Sequence, residues 1–187
     1  MSRRGVEVSG IREGGISFNY DGPQGSLVDR NMLGGVKRDE AQMNSGETEY
    51  QKFDDAMKFV KENQIGEPSD PSAWFANDLH ATIADELGLE DYSQLKFYTA
   101  VGSALDKYHS IDGFFELQTD PDNPDDVVRV TIDLTTNPQK DDYRADSVIL
   151  VPKNGLDPKD EDYKEALNNH AQEIVAKLKP YLKKAVA

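Results

Sequence analysis

The chain has 187 residues, of which 37% are hydrophobic and 30% charged, and a formal net charge of −14. Having no cysteine excludes a disulfide scaffold, a thiolate metal site and a cysteine nucleophile, and three scattered histidines argue against a His-rich metal site. No apolar run approaches the roughly 18–20 residues of a membrane span, and Met1–Gly15 lacks the apolar stretch of a secretory signal, so a cytoplasmic protein with no membrane partner is expected.

Residues 1–48 read as a flexible tail carrying at most a short docking segment. Gly14-Gly15, Asp21-Gly22-Pro23 and Gly34-Gly35 interrupt a stretch whose apolar residues (Ile16, Phe18, Leu27, Val28, Met32, Leu33) keep no sustained period. Such a composition buries too little apolar surface to offset the entropy of ordering. Residues 49–187 are expected to form one domain, with a helical lead-in over 49–92 and a core over 93–187.

A first helix is predicted over Glu49–Asn63, where Phe53, Met57 and Val60 recur at i, i+4, i+7 before Gly66 and Pro68. A second is predicted over Pro71–Leu87, with Asp70 as cap, a Phe75, Leu79, Ile83, Leu87 stripe, and Gly88 ending it. A third helix is predicted over Ser93–Tyr108, with Leu95, Tyr98, Val101, Gly102 and Leu105 on one side.

The period then changes. Ile111–Leu117 reads as a strand, and Thr119–Asp126, with Pro121 and Asn123-Pro124, as a turn. Val127–Thr135 is the strongest strand: Val128, Val130, Ile132 and Leu134 share one face, and Arg129, Thr131, Asp133 and Thr135 the other. Ser147–Val151 is a third strand. A long last helix is predicted over Asp160–Lys184, kinked at Pro180. Consecutive strands on short links predict an α+β or α/β fold, a central sheet containing a three-stranded antiparallel meander, flanked by helices.

Two acids stand out. Asp112 opens the first strand just after a helix, and Asp133 lies inside the strongest strand, where Asp is disfavoured. A hairpin can bring both carboxylates to one end of a sheet. Two carboxylates and a strand carbonyl make a hard oxygen site suited to Mg²⁺, which polarises phosphoryl oxygens and acidifies water. The plainer alternative leaves Asp112-Gly113 as a turn pair and Asp133 on a solvated face. His109 is a candidate for acid–base work or for a helix cap. Asp120, Asp122, Asp125 and Asp126 form an acidic turn without EF-hand spacing.

His109-Ser110-Ile111-Asp112-Gly113-Phe114-Phe115, following a helix, and Val130-Thr131-Ile132-Asp133-Leu134-Thr135-Thr136-Asn137-Pro138-Gln139-Lys140 resemble the PD-(D/E)XK nuclease superfamily. The likeness is to members whose third motif reads Asp-x-Thr followed by a displaced lysine, and it covers about residues 93–182. It implies a restriction endonuclease-like core, seen here as α-β-β-β-α, and Mg²⁺- or Mn²⁺-dependent hydrolysis of phosphodiester bonds, in DNA rather than RNA. Asp112 then matches the first acidic metal ligand and Asp133 the second. Thr135 occupies the position of the usual lysine, for which Lys140 is the displaced substitute and Lys107 a weaker one. Asp106 matches a helical acid before the first strand, with Glu86 a poorer candidate.

Charge supplies the counterweight. Residues 51–162 hold 10 Lys+Arg against 25 Asp+Glu, whereas residues 163–187 hold 5 against 2. An acidic body repels phosphate backbones unless charge is locally segregated or offset by metal. The alternative is therefore a catalytically degenerate nuclease fold that binds a protein partner through its acidic surface or its N-terminal tail. A third reading is an acidic mimic of nucleic acid.

Overall fold

The computed structural model describes residues 25–37, 48–120, 123–139, 144–152 and 156–182. In chain order these form α1 (Gly25–Leu33), α2 (Phe53–Glu62), α3 (Trp74–Leu87), β1 (Leu95–Thr99), α4 (Ala104–His109), β2 (Gly113–Asp120), β3 (Asn123–Thr135), β4 (Ser147–Leu150) and α5 (Glu161–Leu178). Single 3₁₀ turns cover Tyr92–Gln94 and Lys179–Tyr181. The class is α+β. The sheet has four strands in the order β1-β2-β3-β4, antiparallel between β1 and β2 and between β2 and β3, and parallel between β3 and β4.

The expected helix over 93–108 is a strand followed by a short helix. Leu95 and Phe97 enter one hydrophobic cluster while Tyr98 enters the other, so β1 is buried on both faces. A strand covered on both sides loses its polar alternation, and its apolar residues then imitate a helical period. The turn between β1 and α4 is closed by Gly102 at φ 89°, and Ser103 caps α4 by accepting the Leu105 N–H at 3.1 Å. The meander is thus β1-β2-β3, and β4 lies parallel beside it rather than continuing it.

Other expectations shift at their edges. The first helix spans Phe53–Glu62 and the second Trp74–Leu87, with Ala73 rather than Asp70 at its N-cap; Asp70 Oδ1 instead accepts from Asn77 Nδ2 at 3.3 Å. Gly88 closes that helix at φ 69°, where its N–H reaches the Ala84 and Asp85 carbonyls. The last helix runs over Glu161–Leu178, and the chain through Pro180 tightens into a 3₁₀ turn rather than kinking a longer helix. β2 and β3 extend to Asp120 and from Asn123, so the expected broad turn is a short hairpin connection.

Part of the expected tail is packed. Val28, Met32 and Leu33 of α1 are buried in the same cluster as Phe75, Leu79 and Ile83 of α3. Residues 1–24 and 38–47 lie outside the described residues.

Helices cover both faces of the sheet. On one side α3 and α5 close over Phe115, Leu117, Val130, Ile132, Leu134 and Ile149. On the other, Met57 and Val60 of α2 and Leu105 of α4 pack with Tyr98, Ile111 and Phe114. Among the described residues no helix is long and apolar enough to cross a membrane.

Candidate functional site

Asp112 occupies the junction between α4 and β2. α4 ends at His109, its C-cap Ser110 turns the chain out of the helix at a φ of 56°, and Ile111 then inserts into the smaller core cluster. The backbone of Asp112 is tied on both sides: its carbonyl accepts the Ala100 N–H at 2.7 Å and its N–H donates to the Ile132 carbonyl at 2.9 Å. Its carboxylate Oδ2 accepts the Leu134 N–H at 2.7 Å. Asp112 therefore grips β3 at the residues immediately before and after Asp133.

The register fixes the face of Asp133. Gly113 pairs with Ile132 and Phe114 with Thr131, so Phe114 shares a side with Thr131 and Asp133, and Asp112 stands one residue before the paired segment. Both acids are buried, Asp112 at 5% exposure and Asp133 at 3%.

This burial has an electrostatic consequence. Loss of solvent is the largest influence on Asp112, followed by the negative charge of Asp29 on α1; Asp106 and Asp133 push the same way. The Leu134 N–H opposes them, but the carboxyl is still raised from an ordinary 3.8 to about 9. Three carboxylates from α1, α4 and β3 thus act on a fourth. Nothing in the sequence marked Asp29, because Val28, Met32 and Leu33 make too short an apolar face to distinguish α1 from a tail.

Asp106 has a local duty as well. It lies in the first turn of α4, and its Oδ2 accepts the Gly102 N–H at 2.7 Å, which closes the helix start. Thr135 is half-buried at the end of β3, where its Oγ1 accepts the Asn137 N–H at 3.2 Å. Lys140 lies outside the described residues. The exposed Lys107 holds its Nζ 5.4 Å from the centroid of the Tyr108 ring. Glu86 is exposed on α3, which covers the sheet face opposite Asp133. His109 hydrogen-bonds the Gln51 carbonyl at 2.9 Å and meets the Phe53 ring edge-on, so it fastens the chain entering α2.

Thr131, two residues before Asp133 on the same face, is locked to the chain entering β4. Its N–H and its hydroxyl both donate to Asp146 Oδ2, at 2.8 and 2.7 Å, and the Asp146 N–H donates back to Oγ1 at 2.9 Å. This clasp aligns β4 with β3 at the level of the acids. Further along the face, Glu116 is 3% exposed and accepts from Lys61 at 2.8 Å and from Arg129 at 2.5 and 3.0 Å.

Among the described residues no three His, Asp or Glu side chains are grouped to hold a metal ion. Mg²⁺ does not require three: it commonly keeps several waters and takes one or two carboxylates from protein. Asp112 and Asp133 are carboxylates, the donor type that Mg²⁺ takes from protein, and both are buried. Comparison with family models, with characterised proteins and with solved structures finds no match to this chain.

Proposed function

We propose that the chain is a Mg²⁺- or Mn²⁺-dependent phosphodiesterase acting on nucleic acid, DNA before RNA, on a PD-(D/E)XK-like core. The reading rests on one observation: Asp112 straddles Asp133, bonding Ile132 on one side and Leu134 on the other. Asp112 and Asp133 would hold the ion. When bound, it would polarise a phosphoryl oxygen and lower the pKa of water at the site. Asp29 and Asp106 keep the local potential negative, which favours cation capture. The core departs from the superfamily's α-β-β-β-α-β order: β1 and α4 stand ahead of β2, four strands precede α5, and the described residues hold no strand after it.

The test is cleavage of labelled single-stranded and duplex oligonucleotides, DNA and RNA, during Mg²⁺ and Mn²⁺ titration. Wild type should cut, and Asp133→Ala should lose about 100-fold or more, the rate equivalent of several kcal/mol. No cleavage by wild type with either ion overturns the proposal.

A second reading is the catalytically degenerate fold serving as an acidic protein-interaction module. What favours it is Thr135 in the lysine position, together with burial of both acids to 5% exposure or less. Wild-type protein that binds neither ion but folds normally would support it.

A further inference from the structure

We propose that Lys58, Lys61 and Arg129 form a cradle for a nucleic-acid phosphate on the sheet face of Asp133; this rests on the phosphodiesterase reading and extends it to how the substrate strand is held. A surface cavity of about 380 Å³ is lined by Asp54, Met57, Lys58, Lys61, Glu62 and Arg129. It opens on the sheet face that carries Asp133, because Arg129 pairs with Glu116 and alternates with Thr131 and Asp133 along β3. Four residues of strand separate Arg129 from Asp133, about 13 Å at the usual rise.

The cations are held in place from below. Glu116, 3% exposed, takes Lys61 on one oxygen and the Nε and one terminal nitrogen of Arg129 on the other. Lys61 also lies over the Tyr98 ring and Arg129 over the Phe114 ring, at 5.5 and 5.4 Å from their centroids. Their side chains remain 40% and 36% exposed. An ammonium and a guanidinium fixed in this way meet a phosphate at little further entropic cost, and Arg suits phosphate oxygens in particular. Lys58, 75% exposed and 3.8 Å from Glu62, adds a third cation at the rim. The cradle and its acids balance to neutrality, whereas the chain carries −14, so a phosphate meets far less repulsion here than over the body.

The experiment measures binding of a labelled single-stranded oligonucleotide by fluorescence anisotropy across a KCl series, with full-length chain carrying Asp133→Asn to block turnover. Lys58→Ala leaves Glu116 fully partnered, and Arg129→Gln removes the inner cation; circular dichroism melts check folding. Each substitution should weaken binding and reduce the log–log salt slope by about 0.7. If wild type cleaves but neither variant changes the slope, the cradle is wrong and the phosphodiesterase reading stands. If the parent binds with slopes that respond to both variants but wild type never cleaves, the cradle stands and the phosphodiesterase reading falls. If the parent does not bind at all, the cradle is overturned.

Discussion

The Leu134 N–H donates to Oδ2 of Asp112 at 2.7 Å, so the side chain of the residue just before β2 replaces a strand carbonyl as acceptor for β3. That single bond commits one carboxylate oxygen of Asp112 to the architecture of the sheet. It also opposes, without cancelling, the burial and the neighbouring acids that hold the group protonated.

The first expectation concerns pH. Asp112 is raised from 3.8 to about 9 in the folded chain. Between those values the folded state keeps a proton that the unfolded state releases, so stability falls as pH rises through the window and levels off near its top. Asp112→Asn removes that dependence and retains an acceptor for Leu134. Urea unfolding of metal-free protein at about pH 5, 7 and 9 should show the variant gaining on wild type, by more than about 1 kcal/mol at the alkaline end. Identical curves at every pH would mean that the carboxyl is not desolvated.

Cation binding should be linked to the same proton. An ion held by Asp112 needs the carboxylate, so Mg²⁺ uptake at about pH 7 should release close to one proton, and affinity should climb up to about tenfold per pH unit below 9. Calorimetry in buffers of differing ionisation enthalpy reads the proton count directly. Uptake without proton release would place the ion elsewhere.

Gly113 is required by packing rather than by backbone conformation. A Cβ there would stand 2.8 Å from the Phe97 ring and 3.0 Å from the Tyr98 carbonyl. Gly113→Ala should therefore cost about 1–3 kcal/mol. Pairing it with Phe97→Leu should recover part of that loss in a double-mutant cycle. Simple additivity of the two costs would show that the clash is absorbed elsewhere.

The Thr131–Asp146 clasp is a separate test of the architecture around the site. Thr131→Val deletes the hydroxyl, and with it one donor to Asp146 and one acceptor for its N–H. A loss of about 1–3 kcal/mol is expected in chemical denaturation, because Asp146 keeps only the backbone bond. Any nuclease activity should fall along with it, since the clasp lies two residues from Asp133. Unchanged stability would mean that water replaces the bond without cost.

Legibility in the sequence followed burial pattern. β3 was readable because its two faces differ: Val130, Ile132 and Leu134 enter the larger core, while Arg129, Thr131 and Asp133 line a polar strip. α3 was readable through Phe75, Leu79, Ile83 and Leu87 and through Gly88, whose positive φ a helix end favours. β1 was misread because Leu95, Phe97 and Tyr98 are all buried, on two different faces. α1 was invisible as structure: nine residues with few apolar positions hold together only against α3.

The sequence alone determined where each strong periodic element lies, that Asp133 sits on the polar face of its strand, and that Asp112 follows a helix. These are local properties, dictated by side-chain alternation and by which residues can end a helix. Only the tertiary structure decided that β4 runs parallel to β3, that α1 brings Asp29 within electrostatic reach, and that Asp112 is desolvated. Those outcomes depend on contacts between residues far apart in the chain, and on solvent exclusion by helices packed from both sides, neither of which a local pattern encodes.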